Sequence, residues 1–139
     1  MASFVYNSFW ADMLAGTIDI EAVDVNVMLV TASYSANKDT HNRRDDVTNE
    51  VTGTGYTAGG ATSVGTITRN DSSDLIIVEF DAVNWTTATI TARAAVYYVA
   101  RGGASSADEL ICYNDFGANV VVTAGTFTVA PVTITINNA

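Results

Sequence analysis

The chain contains one cysteine, Cys112, so no internal disulfide closes the fold. Its setting in the apolar run Leu110-Ile111-Cys112-Tyr113 is that of a small buried hydrophobe. There is also one histidine, His41, in a polar stretch far from that cysteine in the sequence. A Cys-His pair or a Ser-His-Asp triad needs a histidine beside the nucleophile, and no catalytic residue is expected. Positive charge is scarce: six basic residues stand against fifteen acidic, a net charge of −9. Nucleic-acid backbones are bound by cations that replace counterions, so direct nucleic-acid binding is not expected, nor is an anionic membrane surface. The acidic charge fits solubility, or a partner with a basic face. No apolar run reaches the roughly 18 residues of a membrane-spanning helix. The opening "MASFVYNSFWADML" lacks a basic segment ahead of its apolar part, so it does not read as a secretory signal.

What is present favours strands. The 139 residues suit one domain, 48% are hydrophobic enough to form a core, and only 15% are charged. Val and Thr are abundant, and both prefer extended backbone. Residues 4–15 read as a short helix, with Tyr6, Phe9, Trp10, Met13 and Leu14 on one stripe. Ser3 is the candidate cap, and Gly16 the left-handed stop. From Val23 to Thr31 the period changes to two, the mark of a strand. Strand-like runs follow at Ser63–Arg69, Leu75–Phe80, Thr87–Ala100, Leu110–Tyr113, Val120–Val122, Gly125–Val129 and Val132–Ile136. In the longest, Ile90, Ala92, Ala94, Val96 and Tyr98 are expected on one face. With no second helix to make crossovers, the fold class is all-β: one antiparallel β-sandwich, jelly-roll-like, with a short N-terminal α-helix. Residues 1–16 form an arm. Residues 32–62 form a long loop, and loops of that length in compact domains are functional or disordered.

Several motifs invite chemistry. Gly53-Thr-Gly55-Tyr-Thr-Ala58 fits G-x-G-x-x-[GA], yet no strand precedes it, no helix follows and no Lys completes a phosphate loop. It reads as a chain reversal using glycines at positive φ. His41 lies among Asp39, Asp45 and Asp46 but lacks the calcium-loop pattern, so ion pairs with Arg43 and Arg44 are the simpler reading. Glu79 and Asp81 alone do not mark a sugar-cleaving cleft. Neither a cofactor nor a metal is expected.

Four stretches together resemble a family of small virion proteins of tailed bacteriophages: "YNSFWADMLAG", the run from Val25 to Gly60, "WTTATITARAAVYY" and "LICYNDFG". The shared pattern includes Asp46-Val-x-x-Glu50-Val51, Gly53-x-Gly55-Tyr56-x-x-Gly59-Gly60, Trp85-x-x-x-x-Ile90-x-Ala92-Arg93 and Tyr113-x-Asp115-Phe116-Gly117. It spans Tyr6 to Phe127. The ending "TVAPVTITINNA" departs from the family's Trp-Asn-x-x-Gly. The resemblance implies a capsid decoration, or cement, protein without enzyme activity. Such a protein is a homotrimer bound to the major capsid protein on the outer surface of the virion, after synthesis in the host bacterial cytoplasm. Contact candidates are Phe4, Tyr6, Phe9, Trp10, Tyr34, Lys38, His41, Arg43, Arg44 and Tyr56. Deleting residues 36–46 is expected to abolish particle binding and leave the fold intact. The alternative is a tail or fibre module that binds a surface glycan by stacking on Trp85, Tyr97, Tyr98 or Tyr113.

Overall fold

The computed structural model describes residues 2–139. Its β-branched, alternating runs form β1 (Phe4–Val5), β2 (Val25–Val30), β3 (Ala61–Ser63), β4 (Gly65–Asn70), β5 (Leu75–Phe80), β6 (Val83–Val99), β7 (Leu110–Val129) and β8 (Val132–Asn137). The helix α1 covers Asn7–Leu14. All pairings are antiparallel, in a five-stranded sheet of order β1-β7-β6-β2-β3 and a three-stranded sheet of order β4-β5-β8. The all-β class with one short N-terminal helix is therefore what forms; these pairings do not by themselves make a jelly roll.

A folded ribbon of two strand pairs joins the two sheets. β5 passes through Asp81 and Ala82 into β6, and β7 passes through Ala130 and Pro131 into β8. Phe80 pairs with Val132 before the corner and Val83 with Val129 after it. Pro131 sits at the corner, where its missing N–H interrupts no ladder. The bend lays the inner faces of the sheets together. Val78, Phe80 and Ile134 of the small sheet share one core with Val27, Leu29, Ile90, Tyr97 and Phe127 of the large one.

A second core lies on the opposite face of the large sheet. Met28, Val30, Val96, Tyr98 and Leu110 are covered there by Tyr6, Tyr34 and Ala36. The long loop thus forms a third layer over half of β6. Burial along β6 shows the change: Val83 to Ala92 alternate between buried and exposed, whereas Ala94 to Val99 are buried throughout.

Four expectations are corrected by the structure. Ile90 and Ala92 face the first core, but Ala94, Val96 and Tyr98 face the second. Between Ala92 and Ala94 the partner register jumps from Val120 to Asp115, and Gly117 takes φ +85°. This bulge shifts the pleat by one residue, which exchanges the faces. Second, Leu110–Tyr113, Val120–Val122 and Gly125–Val129 are one strand, β7, interrupted by such bulges. Third, Ser63–Arg69 divides at the exposed Val64: β3 joins the large sheet and β4 the small one. Fourth, the helix begins later. Phe4 and Val5 pair with Tyr113 and Cys112, Tyr6 occupies the cap position, and Ser3 Oγ instead accepts the Asp115 N–H. The stripe expected on the helix is incomplete, because Leu14 at its end is 91% exposed. Gly16 does stop the helix at φ +78°.

Candidate interaction surface

The glycine-rich segment is where the sequence pattern is densest. Its backbone lies against the large sheet: Thr54 O accepts the Thr89 N–H at 2.9 Å. A methyl group at Gly53 would strike the Thr89 carbonyl, and one at Gly60 would strike that of Val27. Gly55, Gly59 and Gly60 all have positive φ. The glycines serve close approach and chain reversal, and no helix opens after them to face a phosphate.

Glu50 holds this segment in place. Its Oε1 accepts the Tyr56 hydroxyl and the Gly59 N–H, each at 2.6 Å. Tyr56 Oη in turn accepts the Leu29 N–H of β2 at 3.0 Å, while Tyr98 donates its hydroxyl to Gly59 O at 2.6 Å. Burial, then the bond to Glu50, push the Tyr56 phenol well above its ordinary pKa, so it stays a donor. The Arg44 guanidinium lies 5.1 Å from the Tyr98 ring centre, close enough for a cation–π contact.

A second chain of contacts fixes residues 34–46. Tyr34 Oη bonds to Tyr6 Oη at 3.0 Å and to His41 Nδ1 at 2.9 Å, and its ring stacks on the His41 imidazole. Burial pushes the Tyr34 phenol up to about 12. Lys38 O accepts the Asn7 N–H at 3.0 Å, and Asn42 O accepts the Leu110 N–H at 3.2 Å. Arg44 reaches the buried Asp108 at 2.7 Å, and Asp108 also accepts the Arg101 N–H. Arg43 stands 3.6 Å from Asp12, whose carboxyl is raised above its ordinary value chiefly by burial, against the pull of Arg43.

The contact candidates therefore fall into two groups. Tyr6, Phe9 and Tyr34 are buried within the chain itself and offer nothing to a partner. Phe4, Trp10, His41, Arg43, Arg44 and Tyr56 are half-buried, and Lys38 is exposed. Phe4 and Trp10 line a cleft of about 330 Å³ between β1, α1 and β8, with Cys112, Val132 and Ile134. The Cys112 thiol is buried, and burial pushes its pKa up, away from a reactive thiolate. The glycan-stacking residues are not platforms: Trp85, Tyr97, Tyr98 and Tyr113 are all buried.

Glu50 and Asp115 carry structural weight that the sequence does not announce. Glu50 and Gly59 are nine positions apart, a spacing that belongs to no regular element. Asp108 and Glu109 gave a usable signal, since two carboxylates abut an apolar strand opposite Arg101 across the β6–β7 hairpin.

Charge pairing is complete on one side. Lys38, Arg43, Arg44, Arg69, Arg93 and Arg101, the six basic residues, each lie within 4 Å of a carboxylate. The excess acidic side chains are left to face outward or bond to backbone. Among the described residues no cluster of three or more His, Cys, Asp or Glu is placed to hold a metal ion, and no helix is long and apolar enough to cross a membrane. Comparison with protein-family models, with curated proteins and with solved structures gives no match.

Proposed function

We propose that this chain is an accessory structural protein of a tailed-phage virion that binds the assembled head shell and stabilises it. The observation that carries this reading is the use made of the motif residues. Glu50, Gly53, Gly55, Tyr56, Gly59 and Gly60, the densest part of the resemblance, make a clamp that fastens one layer of the protein to another. A loop clamped rigidly onto the sheet suits a protein whose work is to present a surface, since binding residues sit on loops positioned by a rigid scaffold. The surface chemistry agrees with a partner that offers basic groups, because every cation of this chain already has an acidic neighbour.

Binding to the assembled shell in preference to free subunits adds stability by mass action. One site contributes about 2.7 kcal/mol when free protein is at 100 times its dissociation constant, and a shell repeats the site many times. In this reading the partner is the major capsid protein, and the protein moves from the host cytoplasm to the outer capsid surface. The test is sedimentation of purified protein with expanded, undecorated heads. Saturable binding in fixed proportion to the major capsid protein is expected. Protein that stays in the supernatant at every concentration would end the proposal.

A further inference from the structure

From Phe116 to Ala139 the chain carries no charged residue, although six basic and fifteen acidic residues occur before it. This neutral run includes most of β7 and all of β8; β8 is an edge strand, and β7 has only the short β1 outside it. β8 pairs with β5 on one side, and among the described residues no strand pairs on the other. Among the described residues β1 covers β7 only at Cys112 and Tyr113. The opposite edge of the small sheet is treated differently: the Glu21 carboxylate accepts the Ile67 N–H of β4. Open edges usually carry a charge, a proline or a bulge that discourages pairing, and β8 has none of these along its length.

The sequence of β8 is also a palindrome in kind: Val132-Thr133-Ile134-Thr135-Ile136. We propose that two copies of this chain pair edge to edge through β8, antiparallel, about a two-fold axis at Ile134. Val132 then lies opposite Ile136 of the second copy, Ile134 opposite its equivalent, and Thr133 opposite Thr135 of the second copy. Every cross-strand pair matches in character, apolar on the core side and Thr–Thr on the outer side, which is the arrangement that stabilises antiparallel pairs. Ile136, 36% exposed in the single chain, gains an apolar neighbour. The nearest carboxylate in the ladder, Glu79, sits one strand inward, opposite Thr133, so two acidic molecules meet along their neutral borders. A partner chosen by charge would find nothing to recognise at this edge, whereas a second copy finds its own complement.

The contact is isologous and closes at two. It stands apart from the shell-binding proposal and differs from the trimer that the family resemblance implies. A single strand pair is a small interface, so association should depend on concentration.

Sedimentation equilibrium over a concentration series tests it, with an expected mass rising towards twice the 14.6 kDa chain. The double variant Thr133→Lys, Thr135→Lys sets a lysine opposite a lysine of the second copy at both outer pairs. Its dissociation constant should rise about tenfold or more, even though net charge falls from −9 to −7 (−9 + 2) and general repulsion weakens. Amide exchange supplies a readout without substitution: β8 amides should slow as wild-type concentration rises, and β4 amides should not. One-chain mass at all concentrations, three-chain mass, or an unchanged dimer in the folded double variant each overturns the pairing. If the double variant fails to fold, β8 exchange that ignores concentration overturns it.

Discussion

Glu50 and Tyr56 are joined by a 2.6 Å hydrogen bond while the same Tyr56 oxygen accepts the Leu29 N–H of β2. One hydroxyl thus ties the loop carboxylate to a strand of the large sheet. Tyr56→Phe leaves the Leu29 N–H without its partner and removes one of two donors to Glu50. Such a loss costs about 1–3 kcal/mol. Urea unfolding of Tyr56→Phe, Glu50→Gln and the double variant should show a lowered midpoint, an unchanged slope, and effects that fall short of adding, as expected for groups in one network. Strict additivity would mean that the two residues act separately.

Glycines of this chain should divide sharply by position. At Gly60, φ is +83° and an added methyl group meets the Val27 carbonyl and the Met28 Cα, backbone atoms inside a paired strand. Gly60→Ala should destabilise by more than about 4 kcal/mol, or fail to fold. Gly103 has open space around it and an ordinary φ. Gly103→Ala should be neutral or stabilise by up to about 1 kcal/mol, because it restricts the unfolded chain. Thermal melting of the two variants side by side checks this.

The limits of the sequence explain which features it shows. β8 is legible because its alternation continues unbroken, and β5 because it is a short apolar run with turn residues before it. The exchange of faces in β6 is not, because it occurs at an irregularity around Arg93, opposite Phe116 to Asn119, that no change of alternation in the sequence marks. One available signal goes unused: Ala94-Ala95-Val96-Tyr97-Tyr98-Val99 is a continuous apolar run, the mark of a strand covered on both faces. It implies a third layer, and the long loop is that layer. The loop itself gives little warning, since only Tyr34 and Ala36 bury a short alternation before the pattern lapses. Contact candidates chosen for being aromatic and near a loop are the ones most prone to this error. Tyr6 and Tyr34 are aromatic because they roof a core.

Residues 36–46 consequently cannot be removed as a spare loop. They contain Arg44, which holds Asp108, and Asn42, whose carbonyl receives the Leu110 N–H of β7. Deletion should lower stability severely and change the circular dichroism, contrary to the expectation from sequence. Particle binding is better tested at an exposed side chain. Lys38 and Asp39 stand outward, 3.7 Å apart, on the turn that also binds Asn7 of α1. If this turn is the face that meets a basic surface of the shell, Lys38→Glu should strengthen sedimentation with undecorated heads while thermal stability shifts by less than about 0.5 kcal/mol, as for an exposed pair. Binding equal to wild type would move the shell-facing surface elsewhere on the molecule.

The Arg93–Asp115 pair should write a specific pH dependence into stability. The two lie 2.8 Å apart at the β7 bulge, and the Asp115 side chain is 5% exposed. The bond from Arg93, aided by the Gly117 N–H and opposed by burial, holds the Asp115 carboxyl at about 2. An unfolded aspartate titrates near 3.9. The folded value is the lower one, so the unfolded chain takes up the proton first as pH drops. The pair's contribution is complete above about pH 4 and is lost as pH falls through about 2. Arg93→Met keeps the stem and removes the charge, returning the folded pKa towards the ordinary value. The variant should be less stable than wild type near neutrality, and the difference should close as pH approaches 2. Urea midpoints at a series of pH values measure the gap, and NMR titration of Asp115 locates its pKa in each protein. A gap that stays constant across that range would show that Arg93 acts by packing its stem and not by its charge.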